Sequence, residues 1–166
     1  MDKLWAPWRM NYILNSKSNG CVFCKKSESK DLKKNLVLYK ANKCFVLMNL
    51  YPYTNGHLMI SPLKHTADTN DLTDDCNLEI MSLANSCYKI LKKNMKAEGF
   101  NFGVNIGKIG GAGIAEHLHY HIVPRWLGDN NFMPVVGNTK VIMQGLEETW
   151  LALKPNFDEL EDCKVA

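Results

Sequence analysis

Glu116-His117-Leu118-His119-Tyr120-His121-Ile122-Val123-Pro124-Arg125-Trp126 decides how this chain is read. In an extended strand, alternate side chains face the same side. His117, His119 and His121 therefore share one face, and Leu118, Tyr120 and Ile122 share the other. The apolar face can pack on a core and hold the row of imidazoles, spaced about 6–7 Å apart along the strand. A strand is predicted from about Glu116 to Val123, ending at Pro124. Before it, Phe100 to Ile106 reads as a second strand, joined through Gly107-Lys108-Ile109-Gly110-Gly111-Ala112-Gly113. Two strands joined by a glycine-rich loop predict an antiparallel hairpin.

Working outward, Leu36–Tyr39 and Cys44–Met48 are β-type runs. Tyr51 to Gly56 is rich in turn residues, and His57 to Ser61 follows as another strand closed by Pro62. Between these strands and the hairpin, Ile80, Leu83, Ala84, Cys87, Ile90 and Leu91 recur at three- and four-residue steps. That period predicts an amphipathic helix over roughly Asp74 to Glu98. Thr73 suits its N-cap, Asp74 and Asp75 its first turn, Lys92, Lys93 and Lys96 its last, and Gly99 the position beyond. The tail carries a further strand candidate at Lys140 to Met143 and helical turns around Leu146 to Leu153. Together these predict an α+β fold: an antiparallel sheet of about five strands with one long helix packed on it.

The 166 residues suit one domain, 46% hydrophobic and 22% charged, as in ordinary globular proteins. We divide it into an N-terminal arm (1–35), a core (36–126) and a C-terminal extension (127–166). A net charge of +3 fits an anionic small molecule and is too weak to argue for nucleic acid. Met1 to Met10 carries Asp2, Lys3 and Arg9, which predicts no signal peptide. No stretch approaches the ~18 apolar residues of a membrane helix, so no membrane partner is expected. Of the cysteines, only Cys21 and Cys24 are closely spaced, and a reduced, cytoplasmic setting is expected over a disulfide framework.

Three of the five histidines lie in the one strand. Imidazole titrates near neutrality, acts as nucleophile or proton carrier, and when charged holds phosphate oxygens. An HxH strand can equally hold zinc, and spacing alone leaves catalysis and metal binding open. The glycine loop lets backbone N–H groups approach an anion, with Lys108 adding a cation. It lacks the Gly-Lys-Ser/Thr ending of a Walker loop and reads alternatively as a flexible hairpin tip. Cys21-x-x-Cys24 alone is ambiguous between zinc, redox chemistry and coincidence.

His117-Leu118-His119-Tyr120-His121-Ile122-Val123 followed by Pro124-Arg125 resembles the signature of the histidine triad family. Asn49-Leu50-Tyr51-Pro52-Tyr53-Thr54-Asn55-Gly56-His57 through His65 resembles the other block of that family, in the expected order with a helix between. Leu4-Trp5-Ala6-Pro7-Trp8-Arg9, Gly113-Ile114-Ala115-Glu116 and Trp126-Leu127-Gly128-Asp129 look like a bacterial subgroup that contains diadenosine tetraphosphate phosphorylases. The resemblance implies nucleotidyl transfer from dinucleoside polyphosphates, with phosphate as acceptor, by a homodimer. It implies His119 as nucleophile, forming a nucleotidyl-histidine, and His121 on the α-phosphate and bridging oxygen. It implies Asn49 on ribose hydroxyls and Asn105 on phosphate or leaving group. Where many members carry Gly-Gln-Ser/Thr before the first triad histidine, this chain has Gly113-Ile114-Ala115-Glu116. Backbone N–H groups of the loop, at Gly111 and Gly113, are then the expected substitutes.

Likeness to zinc-containing triad proteins and to galactose-1-phosphate uridylyltransferases implies a structural zinc on Cys21, Cys24, His65 and His117. Magnesium travelling with the substrate is a further expectation, because polyphosphate enzymes often use it. The rival expectations are a hydrolase of nucleoside phosphoramidates or dinucleotides, a metal-dependent hydrolase with all three histidines as ligands, and a nucleotide-binding adaptor. His57 is read as structural, Arg125 as either a phosphate contact or an ion pair, and Trp5, Trp8 and Tyr12 as packing or base-stacking residues.

Overall fold

The computed structural model describes residues 20–129 and 142–160. The aromatic arm with Trp5, Trp8 and Tyr12, and the Lys140–Val141 half of the last strand candidate, lie outside them. Helix α1 (Val22–Glu28) leads into β1 (Val37–Lys40), β2 (Cys44–Met48) and β3 (Leu58–Pro62). Helix α2 (Asp74–Met95), β4 (Gly99–Val104), β5 (Tyr120–Arg125) and α3 (Leu146–Asp158) follow. The strands form one five-stranded sheet in the order β1-β2-β3-β5-β4, and every pairing is antiparallel. This is the predicted α+β sheet, with β4 and β5 paired as the predicted hairpin. Ile142 and Met143 lie outside any strand.

Strands β2 and β3 are buried at every position, as continuous apolar runs in the middle of a two-sided sheet should be. On one face Leu38, Val46, Met48, Ile60 and Ile122 pack under Ile80, Leu83, Cys87 and Leu91 of α2 and Leu153 and Phe157 of α3. On the other face, among the described residues, Val37, Phe45, Leu47 and Met59 meet Phe23 of α1 and the half-buried Cys21, Val22, Leu32 and Ile114. Among the described residues the sheet is thus heavily roofed on one side and lightly on the other, and the histidine row lies on the light side.

The Thr73 hydroxyl caps α2 as expected, accepting from the Cys76 N–H. The helix ends earlier than its period suggests, at Met95, because Lys96 turns left-handed with φ 54° and its N–H bonds Leu91 O. The C-terminal turns continue to Asp158, through Pro155, as a second helix of the roof.

The largest departure concerns the histidine strand, which begins only at Tyr120 and runs past Pro124 to Arg125. Strand β3 pairs Ile60 with Tyr120, so the same register would set Pro62 opposite Leu118. Proline has no N–H to give a ladder. Leu118 instead donates its N–H to Thr66 O at 2.8 Å and accepts the Ser61 hydroxyl at 2.9 Å. His117 and His119 therefore sit on a chain tethered bond by bond to the end of the sheet. The alternation survives: Leu118, Tyr120 and Ile122 join the α2 core, while His117 and His119 lie against Phe23.

Candidate active site

The His119 ring is 6% exposed, more enclosed than a strand-surface histidine would be. Phe23 stacks on it with centroids 4.8 Å apart and planes 28° from parallel. His121 meets it edge-on, 5.0 Å away at 73°, closer than the spacing along an ideal strand. Its Nδ1 lies 2.8 Å from the carbonyl oxygen of His117. A carbonyl only accepts, so that nitrogen carries the proton. Nε2 of His119 then holds the lone pair.

His121 is set by a chain of bonds that begins on the backbone. The Tyr53 N–H donates to His57 Nδ1 at 3.1 Å, which makes His57 Nε2 the protonated nitrogen. That nitrogen lies 3.0 Å from His121 Nδ1 and donates to it. The His121 proton is thereby displaced to Nε2, a buried N–H with no partner among the described residues. Burial, and then the neighbouring His119, push the His121 pKa down to about 4, so the ring is neutral near pH 7. Tyr53 covers the pair, 4.5 Å from the His57 ring and 5.8 Å from that of His121.

His57, read from sequence as structural, thus bonds directly to a triad histidine. The signal available was its place after Gly56. That glycine has φ +72°, and a Cβ there would lie 2.5 Å from Met95 Sδ, so a side chain at this turn would be strained and would displace Met95. The turn closes with Asn49 N–H on His57 O at 3.0 Å and Tyr51 N–H on Asn49 Oδ1 at 2.9 Å. Asn49 Nδ2 also approaches His57 Nδ1, at 3.4 Å, so Asn49 adjoins the site as part of the turn that aims His57.

The glycine loop is partly self-satisfied. Gly111 donates its N–H to Lys108 O at 3.1 Å and Ala112 to Gly107 O at 3.2 Å. Asn105 Nδ2 reaches Gly111 O at 3.5 Å. Gly113 faces open space, with nothing within 4 Å of where a Cβ would stand. Of the amides expected to meet an anion, that of Gly111 is therefore engaged within the loop. Arg125 grips Asp129 through Nε at 2.5 Å and Nη2 at 3.0 Å, the ion-pair alternative of its two readings.

At the other end of the row, Cys21, Cys24, His65 and His117 bring their ligand atoms within 4.8 Å of one another. His117 Nδ1 lies 3.2 Å from Cys21 Sγ, 3.6 Å from Cys24 Sγ and 3.2 Å from His65 Nδ1. His65 Nδ1 lies 3.5 Å from Cys24 Sγ. His117 Nε2 donates to Pro62 O at 2.9 Å, which leaves the Nδ1 lone pair facing the cluster. A tetrahedral zinc, with bonds of about 2.3 Å to sulfur and about 2.0 Å to nitrogen, sets sulfur–nitrogen contacts of about 3.5 Å and nitrogen–nitrogen contacts of about 3.3 Å. The donor set fits such an ion in atom type, spacing and tautomer. His119 and His121 stand outside it, contrary to a site that uses all three triad histidines as ligands.

Residues 30–126 match the model of the HIT domain. The chain is 37% identical over 158 residues to the AP-4-A phosphorylase of Mycobacterium tuberculosis, covering 90% of this chain and 80% of that protein. It is 30% identical over 142 residues to an adenosine 5'-monophosphoramidase of Saccharomyces cerevisiae, covering 84% of this chain and 75% of that one. A zinc-bound histidine triad family protein from Mycobacterium smegmatis superposes with a TM-score of 0.67 at 22% identity, over 84% of this chain and 94% of that one. The strand order, the alternating histidines and these likenesses agree, and the chain belongs to the histidine triad (HIT) family.

Proposed function

We propose that the protein is a nucleotidyltransferase that cleaves dinucleoside polyphosphates by phosphorolysis, taking diadenosine tetraphosphate and phosphate to ATP and ADP. The observation that carries this reading is the pair of nitrogens at the centre of the site. His119 Nε2 offers a lone pair because Nδ1 is bonded to His117 O, and beside it His121 Nε2 offers a proton. The likeness to a phosphorylase supports phosphate as the acceptor.

In the first step His119 Nε2 forms a bond to the α-phosphorus as the bond from that phosphorus to its bridging oxygen breaks. The remaining nucleotide leaves, and AMP stays on the ring. In the second step a phosphate oxygen takes the α-phosphorus, the N–P bond breaks, and ADP departs. His121 donates its Nε2 hydrogen bond to the oxygens that gain charge, a role suited to an imidazole that stays neutral near pH 7. His57 keeps that proton on the outer nitrogen. Asn49 is assigned to ribose, and Asn105 and the Gly111–Gly113 loop to the distal phosphates. Zinc on Cys21, Cys24, His65 and His117 would be structural, tying α1 to the end of the sheet. Magnesium delivered with the substrate is an expectation from polyphosphate charge alone. No helix among the described residues is long and apolar enough to cross a membrane, which accords with a cytoplasmic enzyme.

The test is incubation with diadenosine tetraphosphate with and without phosphate, followed by separation of products. Phosphate-dependent ATP plus ADP is expected, with an adenylyl adduct on His119 located by mass spectrometry. Cleavage indifferent to phosphate assigns a hydrolase instead, and nucleotide binding without an adduct rejects the covalent mechanism.

A further inference from the structure

Phe23 lies between the two cysteines of Cys21-Val22-Phe23-Cys24 and is itself no metal donor. It is the one buried residue of α1, 3% exposed. Its ring stacks on His119 and also meets His117, 5.3 Å away at 45°. Behind it stand Val37, Phe45, Leu47 and Met59, a wall drawn from β1, β2 and β3. A phenyl ring so backed cannot retreat without opening a void in that wall.

Buried to 6% exposure, the His119 ring makes two further defined contacts among the described residues. One hydrogen bond, from Nδ1 to His117 O, fixes a single atom and leaves the ring free to tilt about it. An edge contact from His121 bounds one side. The face contact with Phe23 lies along the plane of the ring at 28° from parallel, and the plane sets where the Nε2 lone pair points. In-line attack on phosphorus depends on that direction.

The position of Phe23 itself depends on the cysteines. Helix α1 has seven residues and no side-chain N-cap bond, too short to stand without tertiary contacts. Cys21 before it and Cys24 within it hold it beside His65 and His117.

We infer that Phe23 is a positioning residue for the nucleophile, through which the cysteine–histidine cluster governs the rate of nucleotidyl transfer as well as the stability of the fold. The inference rests on His119 as nucleophile. The residue between the metal donors, pressed face to face on the reactive imidazole, carries it.

The experiment compares Phe23→Leu and Phe23→Tyr with the unaltered chain in single-turnover adenylylation by diadenosine tetraphosphate, with zinc content and Tm measured on the same samples. Phe23→Leu removes the aromatic face and is expected to slow adduct formation on the order of 10- to 100-fold. KM and zinc per chain should stay unchanged. Phe23→Tyr keeps the ring and is expected to fall within about threefold of the unaltered rate. In NMR, ring-current shifts on the His119 carbon-bound protons should vanish in the leucine variant and persist in the tyrosine one.

Unchanged adduct formation in Phe23→Leu overturns the inference. So does a rise in KM alone, which would make Phe23 a contact for the nucleoside. If Phe23→Leu loses zinc or unfolds, Phe23→Met, unbranched and of similar reach, takes its place under the same criteria, and its loss of zinc too would leave Phe23 purely structural and sink the idea. If the unaltered chain forms no adduct, the functional reading fails rather than this one.

Discussion

The two ends of the histidine row are built by opposite means. At the His117 end four donor atoms converge from α1, the loop after β3 and the triad segment, and the ring presents its lone pair to them. At the His121 end one neighbouring imidazole, aimed by a backbone N–H, supplies a hydrogen bond that leaves the proton on the buried Nε2. Identical side chains are left presenting a lone pair at one end and an N–H at the other, according to which nitrogen is already bonded. For His117 a carbonyl takes the Nε2 proton; for His121 a donor occupies Nδ1. His119 lies between and carries its proton on Nδ1, unlike either neighbour, so that its Nε2 holds the lone pair. The tautomer of each ring is set by a bond to a group other than its neighbouring triad rings, a carbonyl oxygen for His117 and His119 and the His57 imidazole for His121.

The sharpest way to break this contrast is to remove the proton donor. His121→Ala is expected to lower kcat for diadenosine tetraphosphate cleavage on the order of 10²- to 10⁴-fold with zinc content unchanged. His57→Phe, which keeps a ring but withdraws the bond to His121 Nδ1, should reproduce a good part of that loss. A loss of zinc in either variant would show that the two ends are not separate.

Removing the metal attacks the other end. Exhaustive chelation, or Cys21→Ala, should abolish zinc binding and destabilise the chain by several kcal/mol, read as a fall in Tm. Unchanged zinc content in Cys21→Ala would refute the ligand set.

A smaller effect concerns pH. His121 has a folded pKa of about 4 against an ordinary value of 6.5. Between those values the unfolded chain binds the proton and the folded chain does not. Stability therefore falls as pH drops through this window and is free of the penalty above it. After allowance for partial exposure the difference is about 1–2 kcal/mol, measured by urea denaturation at pH 7.5 and pH 5. His121→Gln should lose that part of the slope, and an identical slope would contradict the burial argument.

The smallest effect expected is from Ser61→Ala. It deletes the buried hydroxyl bond to Leu118 O, and it should cost about 1 kcal/mol of stability while loosening both ends alike.

Much of the fold was legible because it is local. The three- and four-residue recurrence of Ile80, Leu83, Cys87 and Leu91 needs no partner to be seen, and the Thr73 cap lies next to it. Alternation at Leu118, Tyr120 and Ile122 correctly separated the core face from the histidine face. The start of β5 was not legible, because it depends on Pro62 falling opposite Leu118, a matter of register between distant segments. Nor does spacing reveal His57 as a partner of His121, since the two meet only when β3 pairs with β5. The cysteine–histidine set was named through likeness to a family, and its convergence is a property of the folded chain. Gly111 was singled out for its backbone freedom alone, and that its N–H bonds Lys108 O within the loop's own turn depends on the folded loop.

The single missing N–H at Pro62 has a consequence for how this protein can move. A segment within a full ladder yields only when neighbouring strands part, at the expense of the whole sheet. His117 and His119 are instead moored by a few separate ties, to Thr66, Ser61 and Pro62. Those ties can be altered one at a time while the strands behind them keep their own ladders.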